Sequence, residues 1–370
     1  MKKAFIQNFF ATLIIVSIFS ACSKDSNSTN TTTNNDTTNI ATQGSWVAKA
    51  TMPTGTSSAV NYGRTGSFSF VIDEYAYIGS GYTSLNATNT QSTDLTDFWK
   101  YNPSTNTWTQ ISSIPSNGRI YPYTFTINNL GFVGGGYSFQ TGTTLNDLYS
   151  YDPSNNTWTD RGKNTNIVGL YKSFSFALNN YGYVGGGINA DGIYQNTVYK
   201  FSPSNNSWTI VNSFPGDKKA NAVSFVNNNK AYVVGGEKGG GDLSYDFYSF
   251  NGTDWSELRL IKNADSASFD DKYTSIARSN ASGFTINNWA YIVGGEASGV
   301  ANTSTWSYDI TNDLWYSNTA FPMNDNSNIG KLIGGTGFTI NNKGYFLTGI
   351  ATGTSNTYTS SSNFYEFDVN

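Results

Sequence analysis

Residues 149–160 read YSYDPSNNTWTD, residues 99–110 read WKYNPSTNTWTQ, and residues 199–210 read YKFSPSNNSWTI. One twelve-residue text recurring every fifty residues is an internal repeat. A period of that length belongs to arrays of small supersecondary units. Each copy holds aromatic residues at alternate positions, then a Pro-Ser-Asn-Asn type turn, then a tryptophan. That order predicts a strand, a tight turn and a second strand.

The twelve residues are half of a longer unit. Ahead of them stands a strand–turn–strand that ends in glycine. It occurs six times: SFSFVIDEYAYIGSG (67–81), YTFTINNLGFVGGG (123–136), SFSFALNNYGYVGGG (173–187), AVSFVNNNKAYVVGG (222–236), SGFTINNWAYIVGG (282–295) and TGFTINNKGYFLTG (336–349). The final glycines are 55, 51, 49, 59 and 54 residues apart. Each unit therefore reads as four strands, here a to d. Strand a alternates apolar and polar residues, an Asn-Asn type turn leads into strand b, and tryptophan marks strand d. A lone sheet of this kind exposes two apolar faces. Stacking the sheets radially covers both, and closing the ring removes the open ends. The sixth unit stops after its strand c (NFYEFDVN), with no tryptophan strand. The missing strand is GSWVAKA (44–50), around Trp46, at the opposite end of the chain. The fold class is all-β, a six-bladed β-propeller spanning 44–370, its last blade closed by the N-terminal strand.

Composition agrees. Aromatic residues make up 16% of the 370 residues and charged residues only 12%, a balance that suits strands and turns. The net charge is −4 and no basic run occurs, which argues against nucleic acid as a partner. There is no histidine, so His-ligated metals, Ser-His-Asp triads and a histidine base are excluded. The one cysteine, Cys22, permits no internal disulfide. No cofactor is implied.

The first residues read as a targeting segment. Lys2 and Lys3 precede an apolar stretch from Ala11 to Phe19, closed by Phe19-Ser20-Ala21-Cys22. This resembles a bacterial lipobox, with Phe19 where leucine is usual. The resemblance implies a lipoprotein of the Bacteroidetes type: a signal peptide over 1–21, cleavage before Cys22, and lipid on its thiol. Residues 22–43 are Ser, Thr and Asn rich and bury too little apolar surface to order themselves, so they read as a tether. The expected location is the cell envelope, lipid-anchored at the outer membrane, with the membrane touched through the anchor alone.

The glycine pairs of strand b, the aromatics of strand c and the tryptophan beyond them resemble kelch repeats. The resemblance covers 44–370, and Ser80-Gly81 and Thr348-Gly349 replace Gly-Gly in two blades. It implies a propeller of the galactose oxidase/kelch type. Galactose oxidase copper chemistry is excluded, because its histidine ligands are missing.

Strands alternate in direction, so the b–c and d–a loops share one face. The b–c loops are long and varied, and variable loops on a rigid scaffold carry function. A basic residue stands before each strand a: Arg64, Arg119, Lys172, Lys219, Arg278 and Lys331. Four of them lie 17 residues before their blade's last glycine, Lys172 lies 15 before and Lys331 lies 18 before. Strand a is innermost, so these groups are expected to ring the channel mouth and to focus an anionic ligand, unless they only bridge the blades. Tyr121, Tyr171 and Tyr273 near the mouth read as packing or as sugar-stacking rings. Asp97, Asp147 and Asp246 open strand c, where Thr197, Ser304 and Asn363 stand in the other blades, and they read as structural.

Two functional readings follow. One is a non-catalytic, membrane-tethered monomer that binds a glycan or protein partner through the long-loop face. The other is a sugar epimerase or mutarotase. The chain resembles the six-bladed kelch sialic acid mutarotase in blade count and export, which would put an acidic sugar in the channel mouth. Glu237 and Glu296, directly after glycine pairs, are then the acid–base candidates. The family's histidine has no counterpart here.

Overall fold

The computed structural model describes residues 43–53, 63–84, 92–163, 167, 169–262, 276–322, 332–347, 349–352, 358–360 and 363–369. All regular structure among them is β-strand. Blade 1 runs Phe68–Ile72 (a), Tyr75–Gly79 (b), Phe98–Asn102 (c) and Thr107–Ile111 (d), each antiparallel to the next. Blades 2 to 5 repeat this order, with strand a at Tyr123–Ile127, Phe174–Leu178, Val223–Asn227 and Ser279–Ile286. Strand a of each blade touches strand a of both neighbours, and the circle closes between blades 6 and 1.

Blade 6 takes strands a to c from Thr336–Ile340, Lys343–Leu347 and Phe364–Asp368, and its outer strand from Ser45–Ala48. Trp46 pairs with Phe367, as the missing tryptophan strand requires. Side chains reinforce the closure. The buried Glu366 accepts from the Tyr345 hydroxyl at 2.6 Å and pairs with Lys49 at 3.1 Å and Lys343 at 3.0 Å. Burial opposes ionisation of Glu366, but these three donors outweigh it and hold the carboxyl below its ordinary value.

The twelve-residue repeat has a physical account at each position. The strand c tyrosine donates its hydroxyl to an asparagine in the turn, Tyr101 to Asn106 at 2.9 Å and Tyr151 to Asn156 at 2.8 Å. That asparagine has positive φ, 53° at Asn106 and 56° at Asn156, which a short polar side chain tolerates. The residue before the proline accepts from a backbone N–H two residues on, as Asp152 does from Ser154 at 2.9 Å. The tryptophan then stitches blades together through its indole N–H. Trp108 donates to Ala50 O at 2.8 Å, Trp158 to Ser112 O at 2.7 Å, and Trp46 to Thr319 O at 3.2 Å, each on the preceding blade's edge.

Between blades the packing is ring on glycine. A Cβ on Gly131 would run into the ring of Phe70 in the previous blade, and Gly182 stands in the same relation to Phe125. Strand b must stay small there for the sheets to approach to core density.

Candidate functional site

A cavity of about 300 Å³ lies inside the six strands a. Along the strands its wall hydroxyls are satisfied by neighbouring blades. Thr124 Oγ1 donates to Ser69 O at 3.0 Å, Ser175 Oγ to Thr124 O at 2.8 Å, and Ser224 Oγ to Ser175 O at 2.9 Å. The hydroxyls lace one blade to the next. Groups still able to meet a ligand therefore concentrate at the end where the b–c and d–a segments emerge.

Six residues rim that end, each 15 residues before its blade's last glycine: Gly66, Tyr121, Lys172, Asn221, Asn280 and Gly334. All six have positive φ, between 50° and 70°. Their backbones hydrogen-bond from blade to blade. Gly66 N donates to Gly334 O, Tyr121 N to Gly66 O, Lys172 N to Tyr121 O, Asn221 N to Lys172 O and Gly334 N to Asn280 O, at 2.8–3.1 Å. Left-handed backbone is the geometry that turns each chain into this belt. Gly and Asn accept it readily. Tyr121 and Lys172 hold it at a cost of about 1–2 kcal/mol each.

The side chains of the belt converge with the two glutamates. Lys172 Nζ lies 3.3 Å from Glu237 Oε1, and Asn221 donates to the same oxygen at 3.0 Å. Asn280 Nδ2 donates to Glu296 Oε1 at 2.7 Å, which leaves Asn280 Oδ1 buried with no hydrogen-bond partner. The Tyr121 hydroxyl bonds Thr65, and its ring lies over Gly66 and Gly334, where a Cβ would crowd it. Burial pushes its phenol above the ordinary range. Tyr194 also bonds Glu237, and burial together with that carboxylate raises its phenol.

The basic residues behave differently from the expected ring. Arg64, Arg119, Lys219 and Arg278 are at most 2% exposed and point into their own blades. Arg64 grips Asp97 with both guanidinium nitrogens, at 2.8 and 2.7 Å, and Arg119 grips Asp147 at 2.6 and 2.9 Å. Lys219 lies 3.5 Å from Asp246 and donates to Gly235 O. Arg278 donates to Gly294 O and to Ser304 O and Oγ. Each clamps the glycine end of strand b to the start of strand c. Asp97, Asp147 and Asp246 are the structural partners that hold these charges. Burial pushes the Lys219 ammonium down to about 8, against the pull of Asp246 and Asp217, and Arg278 down to about 10. At these four positions the positive charge is buried within the blade and answered there. In blade 3 the buried Leu170 fills the clamp position, which puts Lys172 two residues on, in the belt. Lys331, Tyr273 and Cys22 lie outside the described residues, as does the signal and tether region up to residue 42.

Glu237 and Glu296 each lie beside the belt, Glu237 against Lys172 and Asn221 and Glu296 against Asn280. Sequence reasoning did not single out Asn221 and Asn280, although both lie at a constant offset from the glycines. Among the described residues, no group of three His, Cys, Asp or Glu side chains could hold a metal ion.

The long-loop face also bears exposed apolar side chains: Phe139 at 52%, Ile193 at 53% and Val300 at 59%. Tyr82, Phe139, Tyr137 and Tyr171 form a run, with successive ring centroids 4.6, 5.1 and 5.7 Å apart.

The kelch motif family model matches residues 128–163 and 177–215, which are the body of blades 2 and 3. The solved structure of YjhT superposes with a TM-score of 0.64 at 15% identity, over 81% of this chain and 94% of that one. Matches extend to 647 solved chains, so the architecture is common and by itself names no ligand. No curated protein matches by sequence. Strand order makes the chain a β-propeller of six blades, two of which match the kelch motif.

Proposed function

We propose that this propeller is a non-catalytic binding module whose partner, a glycan or a protein, docks on the long-loop face with a group entering the channel mouth. The observation that carries this reading is the belt. Tyr121 and Lys172 occupy left-handed backbone where glycine or asparagine would be less strained, and strain of this kind is retained where side chains act. The lipobox-like segment at Cys22 and the polar stretch after it support a lipid anchor in the cell envelope, at the outer membrane, for a propeller taken as a monomer.

An epimerase or mutarotase is the second reading. Two carboxylates at one mouth, each held by an asparagine amide, are groups that can move protons. The clamped arginines weigh against an acidic sugar as its substrate.

Thermal unfolding against sugars and candidate proteins separates these readings. A ligand at a hundred times its Kd stabilises the fold by about 2.7 kcal/mol. The binding reading expects a shift that Lys172→Asn reduces, with no turnover. Sugar interconversion abolished by Glu237→Gln would favour the enzyme. A shift that ignores every substitution at the mouth would defeat both.

A further inference from the structure

We infer that the ligand of this face is a neutral oligosaccharide, lying along the Tyr82–Phe139–Tyr137–Tyr171 ridge with its terminal sugar in the channel mouth. This rests on the binding reading above and gives it a chemistry.

Polarity at the mouth disfavours an anion and asks for a donor. Among the described residues beside the belt, the Lys172 ammonium is paired with Glu237 at 3.3 Å, and a second carboxylate, Glu296, is held by the neutral Asn280 amide. These groups together carry one positive and two negative charges. A second anion would meet repulsion in a partly desolvated site. Asn280 lines the cavity and is 8% exposed, and its enclosed Oδ1 lacks a partner. Its N–H group is taken by Glu296, which fixes the amide's orientation. An orphaned buried acceptor costs free energy until a donor reaches it, and a sugar hydroxyl is such a donor.

The ridge supplies length. It starts on the b–c loop of blade 1, crosses that of blade 2 and ends at Tyr171, the chain neighbour of Lys172. It is therefore continuous with the mouth. Its rings are amphipathic apart from Phe139, with a flat apolar face and a polar tip, as the two sides of a pyranose require. Successive rings tilt by 47°, 80° and 48°. No flat platform results, so the ridge suits a soluble, twisted chain rather than a crystalline fibre. Half-buried aspartate backing holds it in shape: Asp94 Oδ2 accepts from Ser138 Oγ and Gln140 N, on either side of Phe139.

The test is calorimetric titration of the full chain with glucose, cellohexaose, maltohexaose and hexagalacturonate. Phe139→Ala probes the ridge at an exposed position. Asn280→Gly probes the mouth, where glycine already serves at the same belt position in blades 1 and 6. The expected result is a neutral hexamer bound at least tenfold tighter than glucose. Phe139→Ala should remove that gain and leave glucose unchanged, while Asn280→Gly weakens both. Equal affinity for glucose and hexamer, untouched by Phe139→Ala, overturns the ridge but spares the mouth. Hexamer binding indifferent to Asn280→Gly overturns the mouth itself. Tighter binding of hexagalacturonate overturns the neutral assignment, and no binding of either neutral hexamer overturns the proposal.

Discussion

A single residue separates Arg119 from Tyr121, Lys219 from Asn221, and Arg278 from Asn280, yet the two sets live in different chemistry. The first set is buried within the blade and answered by aspartate, serine or backbone carbonyl. The second set lines a cavity, on left-handed backbone, beside glutamates. Strand alternation explains the contrast. A residue and its second neighbour would share a face of a regular strand, but positive φ at the belt breaks that rule and turns the second residue toward the channel. The comparison teaches that charge near a channel is not charge in it. Where a cation is buried, the partner on strand c decides whether it is a binding group or a clamp.

The sharpest way to break the comparison is to remove a clamp. Arg119→Met leaves Asp147 facing a desolvated pocket without its bidentate partner, and loss of one member of a buried pair costs about 3–5 kcal/mol. Denaturant unfolding should show that loss. Arg119→Met with Asp147→Leu should recover most of it, because no lone charge remains. If the single change left stability intact, the clamp assignment would be wrong and Arg119 would return as a ligand group.

Lys219 provides a pH version of the same contrast. Its folded pKa is about 8, below the ordinary lysine value of 10.5. Between these values the unfolded chain binds the proton that the folded chain has released. Stability contributed through this residue therefore rises as pH increases across that window. The buried tyrosines act the other way as pH approaches and passes 10: burial pushes Tyr151 up to about 12, so its unfolded form ionises first and stability falls. Many tyrosines share that direction, so the lysine is read as a difference. Between pH 8 and 10 the unaltered protein should gain on Lys219→Met by on the order of 1–2 kcal/mol in chemical denaturation. A constant difference would mean the ammonium is hydrated in the folded protein.

The blade seams give a smaller effect. Trp108→Phe keeps the ring against Phe364 and removes the indole bond to Ala50 O, the contact that ties blade 1 to the closing strand. The loss should be about 1 kcal/mol in equilibrium unfolding. A similar loss is expected for Trp158→Phe, which has the same bond to Ser112 O.

How much of this was legible follows from what a residue type can encode. The propeller was legible because its period is written in side chains. Tyr151, Asn156 and Trp158 each make a specific side-chain contact, hydroxyl to turn and indole to the neighbouring blade, so their residue types recur with few exchanges. The closing strand was legible because Trp46 completes a count of six. The clamp was half legible. Arg64, Arg119 and Lys219 each come with an aspartate opening strand c, whereas Leu170 comes with Thr197, and that pairing across blades is the mark of an internal partner. The belt was hardest to read. Gly66, Tyr121, Lys172, Asn221, Asn280 and Gly334 share a backbone angle rather than a chemistry, and only the Gly and Asn bias betrays it.

The smallest expected change in stability is also the most informative about function. Lys172→Asn replaces a residue strained at φ 59° with the type found at the same belt position in blades 4 and 5. It removes a 3.3 Å pair with Glu237 that is about one-fifth exposed on either side, which is worth little. It also relieves left-handed strain on a long side chain. The two effects nearly cancel, so unfolding should shift by less than about 1 kcal/mol, toward greater stability if at all. Binding at the mouth should weaken over the same substitution. A protein that keeps an ammonium on unfavourable backbone, for no gain in its own stability, keeps it for what the ammonium meets. A Lys172→Asn protein that unfolds early and binds as before would reverse that argument and make the belt a structural hoop like the clamps beneath it.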